Sequence, residues 1–171
     1  MTYDFMDRLP AELTHLPIIT ISGSASMLMP GRAYLVGRGH SEVPVFEIRY
    51  EYHSAPFREA VILGQVLAVG HECHFYLYDI EKSEHVLSLE LNGYFGHFYI
   101  NDDTFFITDA SFVYGISLSG RMLWKSLCLG IDGVVVDEIT HDRICGMGEW
   151  DPPGGWVPFW LDKETGALVG E

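Results

Sequence analysis

From Ala33 onward the chain is a succession of short runs of β-branched and aromatic residues, punctuated by clusters of Gly, Asp, Asn and Ser. No 3.6-residue period runs through this region, and strand-type runs broken by turn residues are the mark of consecutive antiparallel hairpins. The pattern predicts strands over 33–36, 43–52, 59–63, 65–69, 74–79, 85–91, 94–100, 104–108, 112–117, 122–127, 133–137, 143–147, 157–161 and 167–169. Turns are supplied by Asn101-Asp102-Asp103 and Ser119-Gly120, whose residues tolerate positive φ or bond their own backbone. Upstream, 18–21 reads as a strand and Ser22-Gly23-Ser24-Ala25-Ser26 as a loop. A helix of one or two turns fits within residues 2–16, capped by Thr2 or Asp4, interrupted at Pro10 and ended at Pro17.

A chain of 171 residues suits one domain with a sizeable core, and 48% apolar residues with 13% aromatic put that core in the globular range. The expected organisation is a single β-rich domain over 1–171. Within it, 1–17 is irregular or briefly helical, 18–63 holds divergent strands, and 64–171 holds regular repeats.

Charge is distributed unevenly. Residues 1–71 hold 7 acids and 5 bases (net −2), whereas 72–171 hold 17 acids and 5 bases (net −12). Such a surface repels phosphate backbones and anionic lipid, which disfavours nucleic acid and membrane as partners and favours a basic protein. Cys73, Cys128 and Cys145 are odd in number and lack zinc or redox spacing, so buried reduced thiols are expected. With no basic and apolar leader at the N-terminus and no run long enough to span a bilayer, a soluble cytoplasmic protein is the default expectation.

Three segments share one pattern. Phe75-Tyr76-Leu77-Tyr78-Asp79, Phe112-Val113-Tyr114-Gly115-Ile116-Ser117 and Phe159-Trp160-Leu161-Asp162 each run as a strand into a tight turn and a second strand. Asp79, Ser117 and Asp162 fall 38 and 45 residues apart, about the length of one four-stranded propeller blade. On these residues the chain resembles the blades of quinoprotein-like β-propellers. The best matching stretch runs from Val113 to Trp124 and the next from Leu161 to Gly166. The resemblance implies an all-β architecture of antiparallel hairpin repeats arranged as propeller-like blades, with a β-sandwich or barrel as the alternative. It does not extend to ligands for pyrroloquinoline quinone, and no cofactor is expected.

Catalytic and metal signatures are sparse. Gly70-His71-Glu72-Cys73-His74 concentrates ligand-type residues but lacks His-Glu-x-x-His spacing, so turn or core roles are expected and no metal site is assigned. No Gly-x-Ser-x-Gly elbow occurs. The most distinctive segment is Gly148-Glu149-Trp150-Asp151-Pro152-Pro153-Gly154-Gly155-Trp156-Val157-Pro158, with two Trp and two acids stiffened by Pro. Trp is enriched at interface hot spots, and a stiff loop loses little entropy on docking.

These features support a non-enzymatic, acidic protein-binding module, and size and charge are similar to small bacterial immunity or inhibitor proteins that occlude a basic toxin. The expected anchors are Trp150 and Trp156, with Glu149, Asp151, Asp102, Asp103, Asp137 and Glu138 as the acidic surface. The competing reading is a small enzyme or ligand-binding protein whose axial pocket uses His71, His74, His97 or His141. A third is a homo-oligomer in which further copies complete the sheets.

Overall fold

The computed structural model describes residues 3–22, 28–38, 44–53 and 56–170. Most of the expected Ser22–Ser26 loop, together with Thr2, lies outside them. Among the described residues fifteen strands are present: β1 (Tyr3–Met6), β2 (Ile18–Thr20), β3 (Gly31–Gly37), β4 (Val45–Tyr50), β5 (Arg58–Leu63), β6 (Val66–His71), β7 (His74–Asp79), β8 (Glu84–Glu90), β9 (Phe95–Asn101), β10 (Thr104–Asp109), β11 (Val113–Ser117), β12 (Met122–Lys125), β13 (Val134–Ile139), β14 (Arg143–Glu149) and β15 (Trp156–Asp162). They form four sheets, ordered β1-β3-β4-β2, β5-β6-β7-β8, β9-β10-β11-β12 and β13-β14-β15. The last three are antiparallel meanders, and the fourth is extended by an isolated bridge from Leu161 to Leu168.

Each sheet packs on the next through an apolar layer. Leu35, Phe46 and Ile48 of the first sheet meet Leu67, Val69, Tyr76 and Tyr78 of the second. Ala68, Phe75 and Leu77 then meet Phe105, Ile107, Tyr114 and Ile116 of the third. Phe106, Val113 and Trp124 meet Val134, Ile144, Phe159 and Leu161 of the fourth. Of the leading strands, β9 contacts both β5 and β13, and together they mark the axis of the array. Among the described residues no apolar cluster joins the first sheet to the fourth, so the array is propeller-like but open.

The repeat read from Asp79, Ser117 and Asp162 has a physical basis. Each ends the third strand of its sheet, and its side chain accepts an amide N–H a turn later: Lys82 at 2.9 Å, Arg121 at 3.1 Å and Thr165 at 2.8 Å. A short polar side chain at this place satisfies backbone that the hairpin leaves unpaired, which is why Asp and Ser interchange there.

Three expectations are corrected. Tyr3–Met6 is a strand paired with β3 rather than a helical or irregular segment, and helical structure upstream is one 3-10 turn at Ala11–Leu13. Tertiary pairing overrides a weak local preference there. The boundary between divergent strands and blades falls before Arg58, because β5 is the leading strand of the second sheet. Of the thiols, all free, Cys128 is exposed, and Cys73 and Cys145 are half-buried. No helix among the described residues is long and apolar enough to cross a membrane.

Candidate functional site

Neighbouring strands in these meanders alternate in direction, so the starts of β9, β13 and β15 and the end of β14 gather at one end of the axis. There they enclose a cavity of about 320 Å³, lined among others by Phe57, Tyr94, His97, Asp132, Glu149 and Trp156. Gly133 is one of its lining residues. A methyl group there would stand 3.1 Å from Trp156 Cη2 and 3.8 Å from both Glu149 Oε2 and Tyr94 Oη.

The loop between β14 and β15 holds its own shape. Trp150 N–H donates to Gly155 O (2.9 Å), Gly155 N–H to Asp151 O (3.0 Å) and Trp156 N–H to Gly154 O (2.9 Å), while Gly154 N–H donates to Glu149 Oε1 (2.6 Å). Gly154 has φ +113°, a conformation side chains rarely adopt, and at Gly155 a Cβ would meet Asp151 Cβ at 2.5 Å. These bonds leave Trp150 at 44% and Trp156 at 39% exposed, so neither ring is spent on covering the core.

The electrostatics of the cavity are one-sided. Burial, and behind it the carboxylates of Asp132, Glu149 and Asp109, push the Tyr94 phenol above its ordinary value. Tyr94 O–H donates to the Asp132 carbonyl. His97 Nδ1 is bonded to Glu59, whose other oxygen accepts the Phe98 amide (3.3 Å). No Lys or Arg is among the lining residues. Asp109 also borders the cavity, but its carboxylate already accepts from Asn92, Ser111 and Phe112 amides and from Tyr114 O–H (2.6 Å). It pins the third sheet and has little capacity left for a ligand.

The residues expected to form one surface divide into groups. Glu149, Trp150, Asp151 and Trp156 cluster at the cavity end. Asp102 and Asp103 lie in the β9–β10 turn at the far end, six strand steps away or about 20 Å. Asp102 there stands 3.8 Å from Lys163 Nζ. Asp137 and Glu138 are exposed part-way along β13, at an irregularity in its register with β14.

Of the four histidines read as pocket candidates, His97 alone lines this cavity. His71 is buried at the β6–β7 hairpin, His74 starts β7 beside Cys73 (3.2 Å), and His141 is exposed in the β13–β14 turn. Among the described residues no set of three or more His, Cys, Asp or Glu is placed to hold a metal ion. Tyr94, Asp132 and Phe57 are site residues that the sequence reading missed. Aromatic and acidic residues beside a turn carry no motif, and only the meeting of β9 and β13 at the axis brings them together.

No protein-family model matches the chain, and no curated protein matches it. Among solved structures it is similar to BamB from Moraxella catarrhalis, a β-propeller, with 14% identity over 99% of this chain and a TM-score of 0.52. The likeness is one of fold. The chain covers 51% of BamB and so spans about half its length. The WD40 domain of Pan2 from Neurospora crassa aligns over 81% of this chain and 45% of its own, with 14% identity and a TM-score of 0.48.

Proposed function

We propose that the chain is a non-enzymatic protein-binding module that recognises a basic partner at the cavity end of its sheet array. One observation carries this: the half-open Trp156 ring and the carboxylates of Glu149 and Asp132 line an apolar cavity that contains no Lys or Arg, and the adjoining β14–β15 loop carries the exposed Trp150 and Asp151. Desolvating carboxylates is costly unless a cation arrives with the partner, so the surface selects for positive charge. Trp150 and Trp156 anchor, and Glu149 and Asp151 pair with the partner. Asp102, Asp103, Asp137 and Glu138 contribute to long-range attraction, which salt screens beyond about 10 Å. Occlusion of a basic toxin is an activity that such a surface suits.

The test is affinity capture with the full chain beside its Trp150→Ala/Trp156→Ala and Glu149→Gln/Asp151→Asn variants. A basic protein held by the wild type should bind about 30-fold or more weakly to the double Trp variant, as expected for a hot-spot pair, and should be released by salt. Neutralising Asp102 and Asp103 should change affinity by less than about twofold. A partner that binds all these variants equally well rules out the surface.

One observation favours a second reading, a small enzyme or ligand-binding protein with histidine in its pocket: His97 lines the cavity and is oriented by Glu59. Stoichiometric transition metal in the purified protein, measured by elemental analysis, would place this reading first.

A further inference from the structure

We propose that the axial cavity is a receptor for a single guanidinium group, the side chain of an arginine on the basic partner; this rests on the reading above and narrows it to one chemical group. Three kinds of partner atom converge on Gly133: the Trp156 ring, the Glu149 carboxylate and the Tyr94 hydroxyl, all within 4 Å of where a Cβ would stand. A flat cation that donates along its edge and stacks through its face is complementary to all three at once. Ammonium is a compact point charge that cannot do both, so arginine is favoured over lysine. Phe57 and Trp156 supply apolar wall for the methylene stem, and beside the half-buried Glu149 the exposed Asp132 adds a second carboxylate.

The alternatives fit less well. An anion would face uncompensated carboxylates. A purely apolar group would strip them of water and return nothing. The imidazole present is not free to act as counter-ion, since Glu59 holds it. At about 320 Å³ the cavity lies at the small end of ligand sites, which suits one side chain better than an extended cofactor.

The experiment is NMR titration of the full chain with methylguanidinium, using methylammonium as the matched control. Saturable shifts at the Gly133 amide and the Trp156 indole N–H are expected, with methylammonium weaker by about tenfold or more. Glu149→Gln retains an oxygen to accept the Gly154 N–H, so it tests charge while sparing the loop, and should weaken binding by a similar factor. Trp156→Ala should abolish it, and Asp103→Asn, at the far end, should leave it unchanged. Absence of shifts, equal response to methylammonium, or full binding by Glu149→Gln overturns the assignment. If methylguanidinium is silent while a basic protein still binds through Trp150 and Asp151, the module reading stands and this inference falls. If methylguanidinium binds and the captured protein ignores the variants, the cavity assignment stands and the module reading falls.

Discussion

Trp124→Ala is expected to cost about 3–5 kcal/mol of folding stability, enough to threaten a domain of ordinary marginal stability. Trp124 closes the layer between the third and fourth sheets, stacked on Phe106 with ring centroids 5.7 Å apart. Its ring fills space left by two glycines: a Cβ at Gly115 would approach to 2.6 Å and one at Gly166 to 2.3 Å. Its Nε1–H donates to Lys163 O at 3.1 Å, tying β12 to the turn that follows β15. Alanine would therefore leave a void that rigid backbone cannot collapse into, and an unpaired carbonyl as well. Trp124→Phe retains the stack and loses the hydrogen bond, and should cost about 1–2 kcal/mol. Urea unfolding of both variants is the measurement. A loss below about 1 kcal/mol for Trp124→Ala would show that the two sheets are held together elsewhere.

Acidification should destabilise the wild type by about 3 kcal/mol through one residue, His71. This imidazole is 3% exposed, sits against the Phe5 and Tyr50 rings, and has a buried Nδ1 without a hydrogen-bond partner. Burial lowers its pKa from 6.5 to about 4, against the pull of the neighbouring Glu72 carboxylate. Between those two values the unfolded chain binds a proton that the folded chain refuses. The stability contributed by neutral His71 is thus complete above pH 6.5, is lost at up to about 1.4 kcal/mol per pH unit below it, and levels off near pH 4. His71→Phe retains an aromatic ring between Phe5 and Tyr50 and removes the titration. Comparing unfolding free energies at neutral pH and at pH near 4.5 isolates the effect. If both proteins lose the same stability, His71 is not the group responsible.

The fold was largely legible because its signals are local. Strand runs, turn residues and the Asp79–Ser117–Asp162 spacing each arise within one hairpin, where side-chain period and turn chemistry act over a few residues. The segments that were misread are those whose state is set from outside. Tyr3–Met6 becomes a strand because β3 offers an open edge, whereas Arg58–Leu63 forms the expected strand and only its place as a leading strand, packed on β9, lay beyond local pattern. The site was legible in part for the same reason. Glu149, Trp150, Asp151 and Trp156 lie within eight residues, and their hairpin keeps them together. Asp102 and Asp103 looked equivalent to them in charge, yet the length of β9 separates the two groups.

The sequence by itself determined the strand content, the blade-like period, the excess of acid in 72–171 and the presence of a turn that carries two Trp. Each follows from composition or from interactions across a few positions. Only the tertiary structure decided that the four sheets stack as an open array, and that Gly133 lies among Tyr94, Glu149 and Trp156. Those three residues come from the approach to β9, the end of β14 and the start of β15. What brings them to one point is the burial of apolar faces between whole sheets, an interaction among residues distant in sequence that no local pattern encodes.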